Sequence, residues 1–187
     1  MYDILIVGAG PAGGSAAIFA ARAGKKTLVV DNGASMTKRA WMDNHYGIDG
    51  ISGPDLLEVG RKQATKSGAE IKEGKVTIIA KTDNGFRVET EGEQFEAKHV
   101  ILATGVLVDL AEQVGLKTKD GTEPRIKTVL DVDAAGKTNI DGIWAAGTCA
   151  GVSVHTIVTS GDGAKVAINV ISEINGERYV DHDVLKS

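Results

Sequence analysis

The sequence predicts an α/β fold with a parallel sheet and a small antiparallel meander. Three observations support this prediction. An apolar segment at residues 2–7 runs into a glycine-rich turn and then a helical segment. Short extended segments separated by turn formers follow between residues 69 and 104. Near residue 143 an apolar segment again leads through a glycine-rich turn into a helical pattern, and such alternation is typical of α/β proteins.

The first unit is a strand, a turn, a helix and a second strand. The continuous apolar run of residues 2–7 is typical of a strand that is buried on both faces of a parallel sheet. A helix is expected from Pro11, which a first helical turn tolerates, to Gly24, which favours a helix end. The segment KTLVVD then predicts a second strand that ends at Asp31.

The middle of the chain predicts a long loop, a helix and several strands. Residues 32–52 have no sustained period, so we expect a loop there. Residues 53–67 carry a partial apolar face that indicates a helix. The segments AEIKE, KVTIIAKT, GFRVET, EQFEA and HVILAT indicate short strands, several of them antiparallel, because turn signals such as Asn84-Gly85 and Gly92 separate them.

The last part of the chain predicts a turn-rich segment and a closing helix. Residues 106–142 are mixed, with a strand expected around 127–132. The segment GIWAAGTCAG indicates a strand that enters a glycine turn, and residues 153–175 indicate a helix. We expect residues 1–187 to form a single domain, because two full domains need more residues.

The composition excludes several classes of function. Asp and Glu number 25 against 21 Lys and Arg, and the charges are scattered, so a nucleic-acid partner is not expected. No apolar run is long enough to suggest a membrane span, and the early strand leaves no room for a signal peptide. The one cysteine, Cys149, cannot form a disulfide within the chain. We therefore expect a cytoplasmic protein, and no set of side chains has the spacing of a metal site.

The first turn has the pattern of a dinucleotide-binding site. Gly8, Gly10 and Gly13 satisfy G-x-G-x-x-G between a strand and a helix, as that motif requires. The first glycine makes a tight turn, the second allows backbone to approach a pyrophosphate, and the third allows close packing of helix and strand. Asp31 ends the second strand, where a carboxylate accepts hydrogen bonds from ribose hydroxyls. The alternative is a tight turn that closes an α/β unit without a ligand.

Several motifs in order resemble one family. GAGPAGGSAAIFAARAG is similar to the opening of the FAD domain of the thioredoxin reductase family of pyridine nucleotide-disulfide oxidoreductases. DNHYGIDGISGPDLLEVGRKQATKSGAEI is similar to the stretch around a flavin-side asparagine, which nominates Asn44. HVILATG resembles the turn that ends the meander, and DGIWAAGTCAG resembles the second flavin motif.

The resemblance implies that residues 1–187 form a single FAD-binding domain, Rossmann-like and three-layered, with FAD as a tightly bound cofactor. It places pyrophosphate at the first glycine turn, ribose at Asp31 and adenine near Val76. It also implies that the helix after the second motif directs its N-terminus at the flavin, which would stabilise a reduced, negatively charged ring. A homodimer is implied as well. The implied cofactor residues are Gly8, Gly10, Pro11, Ala12, Gly13, Asp31, Asn44, Val76, Ala103, Thr104, Gly105, Gly147, Thr148, His155, Thr156 and Ile157.

Three departures from the family pattern bear on function. The family's inserted NADPH domain, which needs about 100 residues, is missing between about 106 and 140. No Cys-x-x-Cys is present, so the family's dithiol exchange is not available. Thr148 stands where the family has Asp, and a neutral hydroxyl makes a weaker hydrogen bond than a carboxylate. These departures predict that the chain is not a working thioredoxin reductase.

Two side chains are weak candidates for chemistry. Cys149 lies beside the second flavin motif, where a helix-proximal turn would lower a thiol pKa, although a small buried residue is the alternative. Histidine is the residue type suited to proton transfer near neutral pH, so His155 would protonate flavin or substrate, or it would only hydrogen-bond the flavin edge. Trp41, His45 and Tyr46 would stack over the ring or fasten the loop to the core.

Three functional hypotheses remain open at this point. The first is a compact FAD-dependent oxidoreductase that is reduced by transiently bound NAD(P)H or by a redox partner protein. The second is a non-catalytic FAD-binding module or flavin-carrying subunit of a larger complex. The third is a plain NAD-binding Rossmann domain, which the antiparallel insertion fits poorly.

Overall fold

The computed structural model describes residues 1–181, so the last six residues of the predicted 1–187 domain lie outside the described residues. Four α-helices and eleven strands form this part of the chain. The strands are β1 (Tyr2–Val7), β2 (Thr27–Asp31), β3 (Trp41–Met42), β4 (Ile51–Ser52), β5 (Glu70–Glu73), β6 (Val76–Thr82), β7 (Gly85–Thr90), β8 (Gln94–Leu102), β9 (Thr118–Asp120), β10 (Thr128–Leu130) and β11 (Ile143–Ala145). The helices are α1 (Pro11–Arg22), α2 (Gly53–Lys66), α3 (Asp109–Val114) and α4 (Thr156–Asn175).

The central sheet combines a parallel part and an antiparallel part. Strands β5, β2, β1 and β8 lie side by side in parallel, and β11 extends this part beyond β8. Strands β6 and β7 form the antiparallel meander, which is joined to β8 through β7. The predicted α/β fold with a parallel sheet and an antiparallel meander is therefore confirmed.

Strand β8 belongs to both parts of the sheet. β1 pairs along one of its edges from Ala97 to Leu102. On the opposite edge, β7 pairs with Gln94 to Ala97, and β11 pairs in parallel with Val100 to Leu102. The sequence predicted two strands, EQFEA and HVILAT, where the structure has this one strand. The exposed Lys98 between the two segments does not interrupt the backbone pairing.

The segment AEIKE does not belong to the antiparallel series. It forms β5, which pairs in parallel with β2 at the edge of the main sheet. Helix α2 forms the crossover between these two strands, and Gly68, two residues after the helix, has φ of +105°. The crossover returns the chain to the end of the sheet where β2 begins, so β5 runs parallel to β2.

Two apolar layers cover the sheet. On one face, α1 and α4 pack over Ile4, Ile6 and Trp144, and small alanines in α1 permit close approach. On the other face, the meander contributes Phe86 and Val88 to a second core. The three-layer prediction is therefore confirmed in outline, with the meander in the third layer.

Residues 106–142 contribute to the second core. They form α3 and a hairpin of β9 and β10, so the strand expected around 127–132 is confirmed. Leu116 and Leu130 are buried against the sheet. Within residues 1–181, no helix is long and apolar enough to cross a membrane.

Candidate cofactor-binding site

The first glycine turn is determined by steric limits on its backbone. Gly8 has φ of +101°, and a Cβ at this position would lie 2.5 Å from the Ala103 carbonyl oxygen. A Cβ at Gly13 would lie 1.9 Å from the Gly8 carbonyl oxygen. Neither position accepts a side chain without movement of the main chain, as the motif predicted.

Gly10 directly precedes α1 and serves as its N-cap. Pro11 occupies the first helical turn, and no side chain of the described residues caps the helix. The first backbone N–H groups of a helix carry partial positive charge, so an uncapped N-terminus is suited to an anion. This part of the turn therefore fits a pyrophosphate.

Asp31 lies beside the first turn, at the end of β2. Its Oδ1 accepts a hydrogen bond from the Ala9 N–H at 3.1 Å, and its Oδ2 lies 3.4 Å from Nη2 of Arg61. The side chain is 13% exposed. The carboxylate is thus held by the backbone of the turn on one side and by α2 on the other.

A cavity of about 660 Å³ opens next to Asp31. Three basic side chains line it, Lys38, Arg61 and Lys75, together with Ser35 and Gly74. This volume is in the range of small-molecule sites in proteins. Val76 follows these residues directly, and its side chain is buried in the second core.

The second glycine turn contacts the first. Gly147 has φ of +80°, and a Cβ there would lie 2.8 Å from the Cβ of Ala12. Its N–H donates to Oδ2 of Asp162 at 2.7 Å. Thr148 follows as part of a buried 3₁₀ turn.

The third turn lies between the first two. The Ala103 N–H donates to the Val7 carbonyl at 2.9 Å, and the Ala146 N–H donates to the Leu102 carbonyl at 2.9 Å. The predicted residues Ala103, Thr104 and Gly105 therefore follow β8 between the carboxyl ends of β1 and β11. Ligands of open α/β sheets bind at this end of the strands.

The start of α4 completes the candidate site. His155 is the N-cap, and its Nδ1 lies 2.8 Å from Oγ of Ser153. Thr156 is buried, and its Oγ1 has no hydrogen-bond partner within residues 1–181. Ile157 is 39% exposed. A buried hydroxyl without a partner is costly, so Oγ1 of Thr156 is available to a ligand.

The predicted residue Asn44 does not belong to any of these turns. Asn44 is exposed in the segment between β3 and β4, so its place beside a cofactor stays a prediction. In the same segment Trp41 packs against Gly50 and is 68% exposed. Tyr46 is 95% exposed and does not fasten the loop to the core, contrary to one of the two alternatives.

Of the two alternatives for Cys149, the structure contradicts the lowered thiol pKa. Burial raises the pKa of this thiol, because the side chain is only 1% exposed. Its Sγ donates weakly to the carbonyl oxygens of Leu102 and Ala146 at 3.3 and 3.4 Å. A buried thiol with a raised pKa is a poor nucleophile, which favours the alternative of a small packed residue.

Sequence reasoning missed Arg61, Lys75 and Asp162. Arg61 and Lys75 both line the cavity, and neither belongs to a motif. Asp162 lies within a helical pattern of mostly small and apolar residues. A carboxylate among the small and apolar residues of this helix was the sequence signal that could have identified Asp162, because carboxylates are seldom buried without a partner.

Comparison with known proteins identifies the family. The profile described as pyridine nucleotide-disulphide oxidoreductase matches residues 2–108 and 52–169. The chain belongs to the pyridine nucleotide-disulphide oxidoreductase family. The resemblance seen in the sequence is thereby confirmed.

Curated members of the pyridine nucleotide-disulphide oxidoreductase family match part of the chain. A thioredoxin reductase of Aquifex aeolicus is 40% identical over 114 residues, which cover 57% of this chain and 35% of that protein. A thioredoxin reductase of Treponema pallidum is 42% identical over 108 residues, covering 56% and 35% respectively. The chain thus spans about a third of the length of these relatives.

Solved structures of the same family share the fold. An atypical thioredoxin reductase from Desulfovibrio vulgaris Hildenborough has a TM-score of 0.85 at 23% identity, over 95% of this chain and 99% of that chain. A ferredoxin-flavin thioredoxin reductase from Clostridium acetobutylicum has a TM-score of 0.76 at 20% identity, over 94% and 99%. The protein therefore has the Rossmann-like fold of thioredoxin reductases and belongs to a family of oxidoreductases.

Proposed function

We propose that this chain binds one FAD non-covalently and acts as a compact oxidoreductase. The observation that carries the proposal is the meeting of three turns at one end of the sheet, where Gly8, Gly13 and Gly147 leave no room for side chains. Family membership and the cavity beside Asp31 support the same assignment. The flavin, when bound, supplies the capacity to accept and pass on electrons.

The residues present fit the two ends of this cofactor. The uncapped start of α1 at Gly10 suits the pyrophosphate, and Asp31 suits ribose hydroxyls, with Arg61 holding its second oxygen. The N-terminus of α4, with the unpartnered Oγ1 of Thr156, suits a polar edge of the ring. Its helix dipole would stabilise negative charge there.

The route by which electrons enter is also a proposal. No second glycine fingerprint occurs in the sequence, so we propose that NAD(P)H docks transiently or that a redox protein delivers electrons. The single, buried Cys149 supports the further proposal that this chain is not a thioredoxin reductase. A cytoplasmic location and a homodimer, which sedimentation would test, are expectations from the resemblance.

The absorption spectrum of the freshly purified chain tests the proposal. We expect an oxidised flavin spectrum, with FAD released on denaturation and identified by mass. A colourless chain that stays colourless after incubation with FAD would refute the assignment. Anaerobic mixing with NADH or NADPH then tests direct reduction, which is excluded if neither nucleotide bleaches the flavin band.

A second candidate is a non-catalytic FAD-binding module or flavin-carrying subunit. The observation that favours it is the burial of Cys149, which leaves the described part of the chain without an accessible thiol for exchange. Flavin binding without turnover on any acceptor, together with a stoichiometric partner on purification, would favour this candidate over the first.

A further inference from the structure

Asp162 is a buried carboxylate that holds the second glycine turn. It lies in α4, and its side chain is 7% exposed. One oxygen, Oδ2, accepts the Gly147 N–H at 2.7 Å, and the other, Oδ1, lies 2.6 Å from Nζ of Lys165. The bond to Gly147 has the short length of a charge-assisted hydrogen bond, and these are about twice as strong as neutral ones.

The backbone of Gly147 needs an external restraint. Its φ of +80° and ψ of −151° lie in a region that only glycine populates readily. Such conformations persist when the surrounding structure over-determines them. Here Ala12 packs against one side of the residue, and Asp162 holds the amide. Two independent contacts therefore fix Gly147, the residue that precedes Thr148.

The charge of Asp162 has its own partner. Lys165 is half exposed and pairs with the oxygen that Gly147 does not use. Because Lys165 is half exposed, this ion pair contributes little to stability, and the hydrogen bond to the turn does not depend on it. The hydrogen bond and the ion pair use different oxygens, so single substitutions can separate their effects.

We propose that Asp162 is a positioning residue for the bound flavin cofactor. It acts through the Gly147 amide, which sets the backbone of Gly147 and Thr148 against the cofactor, and it does not touch the cofactor itself. The inference rests on the proposed function. Thr148 supports the inference, because its neutral side chain binds the cofactor more weakly than a carboxylate would, so that more of the cofactor binding depends on the orientation of the backbone.

The test uses three variants of the full chain. Asp162→Ala removes the acceptor, Asp162→Asn keeps a neutral acceptor of the same size, and Lys165→Met removes only the ion pair. For each variant we would measure the FAD dissociation constant by fluorescence titration. Hydrogen exchange of the Gly147 amide, followed by NMR without added FAD, reports the bond directly. Thermal melting of the apoprotein checks that each variant folds.

We expect graded results. Asp162→Ala should weaken FAD binding by about tenfold and speed Gly147 exchange by at least as much, as expected for the loss of a hydrogen bond to a charged group. Asp162→Asn should give intermediate values for both, and Lys165→Met should stay within about twofold of wild type.

Three results would overturn the inference. They are wild-type FAD affinity in Asp162→Ala, unchanged Gly147 exchange in Asp162→Asn, and a loss in Lys165→Met as large as in Asp162→Ala. If Asp162→Ala does not fold, the FAD affinity and the Gly147 exchange of Asp162→Asn test the inference on their own. Failure of the wild-type chain to bind FAD would instead refute the proposed function.

Discussion

Two glycines in α4 allow the helix crossing at the site to be tested with a matched pair of variants. A Cβ added at Gly163 would lie 2.0 Å from the carbonyl oxygen of Ala12 and 2.8 Å from its Cα. A Cβ added at Gly161, on the same helix, has no neighbour within 4 Å among the described residues. The same chemical change therefore has opposite consequences two residues apart.

The expected magnitudes follow from these distances. Because contacts under 3.0 Å do not occur for real Cβ atoms, Gly163→Ala must separate α1 from α4 by about 1 Å. Overpacking of this kind costs about 1–3 kcal/mol, which outweighs the gain of about 0.5–1 kcal/mol from replacing a helical glycine. Gly161→Ala has the gain from replacing a helical glycine without the overpacking cost. For a chain of this size, 1 kcal/mol shifts Tm by about 2–4 °C.

Thermal unfolding followed by circular dichroism measures the difference. We expect Gly163→Ala to lower Tm by up to about 10 °C and Gly161→Ala to raise it by about 1–4 °C. Since Ala12 lies at the start of α1, directly after the first glycine turn, Gly163→Ala should also weaken FAD binding. If the two variants melt within about 1 °C of each other, the close contact between α1 and α4 is refuted.

Three further predictions concern single residues. Asp31→Ala should weaken FAD binding by about tenfold in a fluorescence titration, more than Arg61→Met, because it leaves the Ala9 N–H without its acceptor; equal effects would contradict the role of the carboxylate. Cys149 should react with Ellman's reagent only after unfolding, because burial raises the pKa of its thiol; rapid reaction of the native chain would contradict this. Burial lowers the pKa of His99 from its ordinary 6.5, so its contribution to stability is complete above pH 6.5 and is lost as the pH falls toward its folded pKa. In urea unfolding, the free energy of unfolding of His99→Leu should therefore fall less between pH 7.5 and pH 5.5 than that of the wild type. An equal fall in both proteins would contradict the lowered pKa of His99.

Local patterns predicted most of the fold. The apolar run of β1, the small residues of α1 and the glycines around Gly8 and Gly13 each restrict the backbone through neighbours in the sequence. Helix α2 was predicted in the same way from its partial apolar face. The errors at AEIKE and along β8 concern strand pairing, because the same extended pattern suits a parallel or an antiparallel neighbour.

Residues of the candidate site were predicted from the sequence only where they belong to a motif or follow one. Asp31 was expected from its position after the first glycine turn, and the structure brings it to the Ala9 N–H. Asp162 and Arg61 were not expected, because their roles depend on contacts with residues 15 and 30 positions away. The sequence left the direction of the Cys149 pKa shift open for a related reason, since burial is decided by all the elements that surround a side chain.

The sequence by itself determined the α/β class, the two glycine turns and the family to which the chain belongs. The fold class and the turns depend on local sterics and periodicity, which neighbouring residues specify, whereas the family follows from the resemblance of the motifs to known proteins. Tertiary structure alone decided that the turns meet at one end of the sheet, that Asp162 holds Gly147, and that Cys149 is buried. These facts arise from packing between elements distant in the chain, and no local pattern encodes such distances.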